Sequence, residues 1–433
     1  MKKQWWWLAA LCMAPAAQAQ TLAEAVSQAV HENPITRTEI ARYEARQADA
    51  RAAKGGYLPT VDVTARTGRG RFESETNGIS ANSKPHDYQR ASITLTQLIW
   101  DGNTTIERIR QARTEADYQK LQAAAAANSV ALSSVEAYLN VLLNQQLVEL
   151  AERNVEIHQD TASDIRRRAE SGAGTTADAT QVEGRLAQAE STLIAARNNL
   201  ADAASAYQRY VGAAPTRLVE PDEPDMTALP DSLKDIQALA RKYNPLLLSA
   251  EASIRSQQHQ RNAERGDFWP TFSLEGSRSW AEDYDYEGVS DDDWSAELVM
   301  RYSLYRGGID AAELRSQSHA LEAVKYDSDR ARREVSDELR LAWNARDYLR
   351  SQMPYLDRHV ESSKQSRVNY RKQFDIGRRS LLDLLDSETE FYQSRQARLR
   401  AESDLMRARY RLLSATGQLL DTLKVDVSWP KQG

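Results

Sequence analysis

Gly377-Arg-Arg-Ser-Leu-Leu-Asp-Leu-Leu-Asp-Ser-Glu388 joins two stretches that each read as one long helix. Before it, from Ile309 to Phe374, there is no glycine and a single proline, Pro354. Small or apolar residues recur there every seven positions, at Leu314, Leu321, Ser328, Val335, Ala342, Leu349, Leu356, Ser363 and Tyr370. Such a helix is roughly 100 Å long. After the turn a second ladder, Leu385, Tyr392, Leu399, Met406 and Leu413, runs to Gly417. Two such stripes on either side of a short glycine-containing turn predict an antiparallel coiled-coil hairpin.

The same programme stands upstream. The stretch 103–171 has no Gly or Pro and carries Leu132, Leu139, Leu143, Leu150 and Ile157. Gly172-Ala-Gly174 breaks it, and a return helix over 175–211 carries Leu186, Leu193, Leu200 and Tyr207 to Gly212. Asn244-Pro245 repeats Asn33-Pro34, and Pro270-Thr271 repeats Pro59-Thr60, both 211 residues on. Gly307 repeats Gly102, Gly377 repeats Gly172, Asp383 repeats Asp178, Glu388 repeats Glu183 and Gly417 repeats Gly212, all 205 residues on. The change of offset places the missing residues of the second copy between its opening proline and its closing glycine, outside the long helices.

That interval is where strands are expected. Val61, Val63, Ala65 and Thr67 alternate with Asp62, Thr64 and Arg66, and Ala91, Ile93 and Leu95 with Ser92, Thr94 and Thr96. A polar loop from Phe72 to Asp87 separates the two runs. In the second copy Phe272 and Leu274 alternate with Ser273 and Glu275. Trp294, Ala296, Leu298, Met300, Tyr302 and Leu304 alternate with Ser295, Glu297, Val299, Arg301 and Ser303. One face of each hairpin suits lipid and the other water, and Trp280, Trp294, Tyr302 and Tyr305 suit aromatic girdles. A soluble hairpin packed on a core is the alternative reading. The acids around the second turn, Glu282, Asp283, Asp285, Glu287, Asp291, Asp292 and Asp293, read as a solvated loop.

The expected organisation is a signal peptide over 1–19, a first repeat over 20–212, a connection over 213–233 rich in proline, a second repeat over 234–417 and a tail over 418–433. The first repeat holds a hairpin over 57–100, a long helix over 103–171 and the return helix over 175–211. The second holds a hairpin over 268–305, a long helix over 309–375 and a return helix over 380–416. Lys2 and Lys3, the apolar run Trp5 to Met13 and Ala17-Gln18-Ala19 make the signal. The single cysteine, Cys12, falls within it. Charged residues make up 27% of the chain, which suits long solvated helices, and a net charge of −6 gives no footprint for nucleic acid.

Four strands cannot close a barrel, and an open edge cannot face lipid. Three copies give twelve strands, an even number within the known range, and gather the helices around the same axis. The predicted fold class is therefore mixed α and β, mainly α. Long antiparallel coiled-coil helices form an α-barrel, and four transmembrane strands per chain contribute to a trimeric 12-stranded β-barrel. The six histidines are scattered, with no metal-ligand spacing, and no phosphate loop or nucleophile elbow is present. No enzyme and no cofactor are expected.

The signal, the paired Asn-Pro, Tyr57-Leu-Pro and Phe268-Trp-Pro before the strands, Trp100-Asp-Gly and Tyr305-Arg-Gly after them, and the two Gly-x5-Asp turns together resemble the TolC family of trimeric outer-membrane channel-tunnels. The likeness covers essentially the whole mature chain. It implies a barrel in the bacterial outer membrane, a helical tunnel in the periplasm and an equatorial belt from the connection. It also implies a homotrimer that works with a periplasmic adaptor (membrane fusion protein) and an inner-membrane transporter. The function expected is a passive exit duct, foremost for type I protein secretion, with multidrug efflux as the alternative. A periplasmic coiled-coil scaffold without a pore is the alternative of another class.

Asp383 and Asp386, three apart on a helix, share a face, and threefold symmetry turns each into a ring of carboxylates that favours cations. The resemblance places this pair at the family's periplasmic constriction. The plainer reading is that such acids complement the helix dipole. The resemblance also implies a latch between neighbouring coiled coils, from Arg379 and Asp178. Phe374 stands where a family tyrosine can serve, so its hydroxyl bond is lost here. Gly172, Gly174 and Gly377 are the turn glycines.

Overall fold

A computed structural model describes residues 19–71, 73–76, 79–82, 84–227, 229–284 and 288–427. The signal segment up to residue 18, with Cys12, lies outside the described residues, as do Phe72, Asp285 and Glu287. In chain order the elements are α1 (Leu22–Glu32), α2 (Pro34–Gly55), β1 (Thr60–Gly70), β2 (Glu73–Thr76), β3 (Ile79–Asn82), β4 (His86–Trp100), α3 (Thr104–Glu170) and α4 (Thr176–Val211). They continue with α5 (Leu233–Tyr243), α6 (Pro245–Glu264), β5 (Thr271–Glu282), β6 (Ser290–Arg301), α7 (Ile309–Asp375), α8 (Leu381–Thr416) and α9 (Leu419–Thr422). The architecture is mainly helical with a four-stranded antiparallel sheet, as the two periodicities demand. The segments divide into two compact units, one of Ala41–Gln122 with Leu248–Arg332 and the other of Met1–Ile40, Ala123–Leu247 and Arg333–Gly433.

The first of these units holds the sheet, in the order β1-β4-β5-β6. Its register aligns Val61 with Leu95, Val63 with Ile93, Gln97 with Leu274, and Leu274 with Leu298. One face therefore collects Val61, Val63, Ile93, Leu95, Leu274, Trp294 and Leu298, all exposed. The opposite face carries Asp62, Thr64, Arg66, Ser92, Thr94, Thr96, Glu275, Ser277, Ser295 and Glu297, where Arg301 meets Glu275 at 2.7 Å and Ser277 meets Ser295 at 2.9 Å. At the far end His86 bridges the hairpins, with its ring nitrogens 2.9 Å from the Lys84 carbonyl and 2.7 Å from that of Asp283.

Two strand expectations need correction. The polar loop from Phe72 to Asp87 contains a small hairpin of its own, β2 paired with β3 from Glu73↔Asn82 to Thr76↔Ile79, too short to announce itself by alternation. The second hairpin is shorter than 268–305: β5 starts at Thr271 and β6 stops opposite it at Arg301, so Tyr302, Leu304 and Tyr305 follow the strand. Pro270 has no N–H to continue the ladder, which fixes that end. Beneath the sheet, Gly102 has φ +68 and Gly266 lies against it, and a Cβ on Gly102 would sit 2.5 Å from the Gly266 carbonyl oxygen. Thr104 donates to the Ala263 carbonyl at 3.1 Å beside this crossing.

The other unit is helical. The expected stripe of α7 is its buried face at Val335, Ala342 and Ser363, and the helix runs on through Pro354. Each helix α1 and α5 ends at an asparagine that performs the same task twice. Asn33 donates to the Tyr210 carbonyl at 3.0 Å and accepts from Ile35 N–H; Asn244 donates to the Ala415 carbonyl at 2.8 Å and accepts from Leu246 N–H. These bonds tie the start of each repeat to the end of its return helix. Tyr138 O–H donates to the Val219 carbonyl at 2.6 Å, which pins the mid-chain connection on α3. Burial raises the Tyr138 phenol above its ordinary value and pushes the neighbouring Tyr207 up to about 12. Among the described residues no helix is long and apolar enough to cross a membrane.

Candidate functional site

The two hairpin turns are built from the same bonds. After α3, Gly172 takes φ +78, its N–H donates to the Ala169 carbonyl at 3.1 Å, and Ala173 N–H donates to Arg168 at 2.8 Å. After α7, Gly377 takes φ +73, donates to Phe374 at 2.9 Å, and Arg378 N–H donates to Gln373 at 2.8 Å. A left-handed residue closing two carbonyls is the usual glycine stop. Both return helices then begin on a hydroxyl cap: Thr175 accepts from Asp178 N–H, and Ser380 from Asp383 N–H. Gly174 sits tightly in its turn, where a Cβ would lie 3.1 Å from the Ala169 nitrogen.

Asp178 and Asp383 are therefore cap residues. The Asp178 carboxylate accepts from the Thr175 hydroxyl at 2.8 Å, and that of Asp383 from the Ser380 hydroxyl at 2.8 Å and N–H at 3.3 Å. Bonds from Ser380 hold the Asp383 carboxyl below the usual carboxylate range, with a smaller push from Arg379. Asp386 makes a different contact: Arg185 of α4 donates to it at 2.8 Å. Arg379 lies with its guanidinium 4.4 Å from the centre of the Tyr370 ring, donates to Gln373 at 3.0 Å and stands 3.9 Å from Asp383. Within the chain it is not brought to Asp178. Phe374 packs on the apolar cluster of Ala162, Ile165, Val182, Leu381 and Leu385, with Arg168 over its ring at 5.1 Å.

Around that cluster lies a layer of charge that the sequence did not single out. Arg371 of α7 reaches Asp164 of α3 at 3.4 Å and donates to Thr161 at 3.3 Å, while Arg168 stands 3.8 Å from Asp375. Arg367 meets the buried Glu388 at 3.5 Å. Burial raises the Glu388 carboxyl above its ordinary value despite Arg367 and Arg371. His158 is buried with its Nδ1 unpartnered, and burial followed by the Arg185 charge holds its pKa below 6.5. These residues lie on different helices, so no local spacing marks them.

Elsewhere, the carboxylates of Glu264, Asp267 and Glu313 lie within 4.8 Å of one another. Burial and the two neighbouring acids raise the Glu264 carboxyl. Acids gathered in this way are common without a metal.

The family model described as "Outer membrane efflux protein" matches residues 25–213 and 237–418. The chain is similar to the outer membrane efflux protein BepC of Brucella suis, 24% identical over 93% of this chain and 87% of the relative. It is similar also to the alkaline protease secretion protein AprF of Pseudomonas aeruginosa, 24% identical over 90% of this chain and 82% of the relative. Its fold is that of the Campylobacter jejuni CmeC outer membrane channel, with a TM-score of 0.79 at 16% identity over 92% of this chain and 86% of the other.

Proposed function

The chain belongs to the outer membrane efflux protein family, the TolC family, and from that premise we propose that three copies close into one exit duct whose cargo is protein delivered by a type I secretion complex. The chain is an outer-membrane channel that extends into the periplasm, and its family's members are trimeric, non-enzymatic components of tripartite systems; a scaffold without a pore is set aside. The observation that carries the trimer is the sheet itself. Its edge strands β1 and β6 have no partner on their outer sides among the described residues, and one face is apolar. Unpaired edges are untenable in lipid, and β6 of one copy pairing with β1 of the next removes them.

Protein cargo is supported by the relative named for alkaline protease secretion. The second reading, drug efflux, is supported by the relative named as an efflux protein. Crosslinking in cells and identifying the inner-membrane complex that is captured tests the cargo. A protein-exporting transporter is expected, and capture of a drug pump alone overturns it.

At the periplasmic end, Asp383 and Asp386 are assigned to the constriction, and Arg379 to a latch with Asp178 across neighbouring coiled coils. Exposed pairs of this kind are worth about 0–1 kcal/mol, which suits a latch that a partner opens. Replacing both acids with asparagine lowers cation preference in a planar bilayer, and Arg379→Ala raises conductance. Unchanged currents remove these assignments.

A further inference from the structure

The two carboxylates of the mouth are not equivalent. Asp383 is bonded to Ser380, and its nearest cation, Arg379, stands at 3.9 Å and is engaged by Gln373 and the Tyr370 ring. In the latch assigned above, Arg379 turns further away, to Asp178. Asp386, one turn on, is held by Arg185 at 2.8 Å.

Arg185 is placed for this by α4. Val182 and Ala189, three residues before it and four after, are buried, so the stem of Arg185 rises beside the apolar cluster and its head emerges toward α8. The side chain is 29% exposed against 58% for Asp386. A half-buried guanidinium needs a counter-charge more than the exposed carboxylate does. His158 cannot supply it, since an imidazole is neutral or cationic, and burial followed by the Arg185 charge lowers its pKa.

We propose that Arg185 is a selectivity-determining residue of the channel, cancelling the charge of Asp386 so that each chain presents one net carboxylate, that of Asp383, to the constriction. This rests on the constriction lying at the α7–α8 turn. A trimer then carries three effective negative charges at its mouth where the two acids alone would give six. Anionic cargo meets a correspondingly lower barrier, and the mouth is a weaker cation filter than Asp-x-x-Asp suggests.

The test is the reversal potential of the full-length trimer in a potassium chloride gradient across a planar bilayer. Arg185→Gln is expected to raise the potassium-to-chloride permeability ratio on the order of threefold, since a unit charge at contact distance in water is worth about fivefold. Asp386→Asn lowers the ratio because it leaves Arg185 uncompensated. The double variant Arg185→Gln with Asp386→Asn returns it to the parent value, and Arg185→Lys leaves it there. A merely structural arginine gives no such compensation. If Asp383→Asn lowers the ratio while Arg185→Gln leaves it unchanged, the constriction stands and the role of Arg185 is overturned. If neither changes it, the constriction falls and this inference with it.

Discussion

At Gly172 and at Gly377 the chain makes the same turn, with a left-handed glycine, a hydroxyl cap and a capping aspartate 205 residues apart. One turn further on, the two hairpins part. Leu381, Leu384 and Leu385 are buried in the second, where the first has Thr176, Ala179 and Thr180, none of them buried. Glu183 pairs with Arg166 at the surface, whereas its counterpart Glu388 is buried against Arg367. The turn chemistry is thus a shared stop-and-restart device. The second hairpin alone drives leucines and a carboxylate into the tip, and it alone presents Asp386 to Arg185. The difference teaches that a repeated motif need not carry a repeated role.

The sharpest test of that asymmetry is Leu385→Ala, expected to cost about 3 kcal/mol from the cavity it opens. Its counterpart Thr180→Ala should stay within about 0.5 kcal/mol. Denaturation midpoints of the two variants check this, and equal losses would break the comparison. The shared device predicts the reverse: Gly172→Ala and Gly377→Ala should each cost about 1 kcal/mol, because both glycines take positive φ in open space. A large difference between them would show that one turn bears strain the other lacks.

Smaller effects come from the buried charges. The raised pKa of Glu388 means that its contribution to stability is fully present below 4.5 and is lost as pH rises through the folded value. Glu388→Gln should therefore stabilise at neutral pH, by no more than ~1 kcal/mol. Glu183→Gln should change nothing measurable. His158 gives the smallest signal, a slope. Its folded pKa is depressed, so as pH falls below 6.5 the unfolded chain takes the proton first and stability declines until the folded value is reached. A thermal-midpoint series against pH should show this decline, and His158→Leu should flatten it.

Much of the fold was legible because long periodic signals need no knowledge of partners. The stripes of α7 and α8, the glycine stops and the alternation of β1 and β4 are repeated many times over, and each repetition reports the same geometry. The small β2–β3 hairpin escaped because four residues a side are too few for a pattern to repeat. The end of β6 was overrun because alternation continues to Leu304 while pairing depends on Pro270 across the ladder. At the tip, Asp383 and Asp178 were found from their spacing, but that spacing equally describes a helix cap, and a cap is what each one makes within the chain. Arg185 was invisible: its partner lies 201 residues away, and no local pattern selects it.

By itself the sequence determined the long helices, their glycine stops and the alternation of the main strands, since these follow from local periodicity and from what glycine, proline and hydroxyl caps do to a backbone; the ordered motifs added the likeness to the family. Tertiary structure alone decided which charges meet. Whether a carboxylate on a helix stays in solvent, caps its own helix or is neutralised depends on which face of another helix lies against it. That is fixed by how apolar side chains from four helices, Phe374 of α7 among them, fill one cluster, and the pairing of Arg185 with Asp386 goes with that packing.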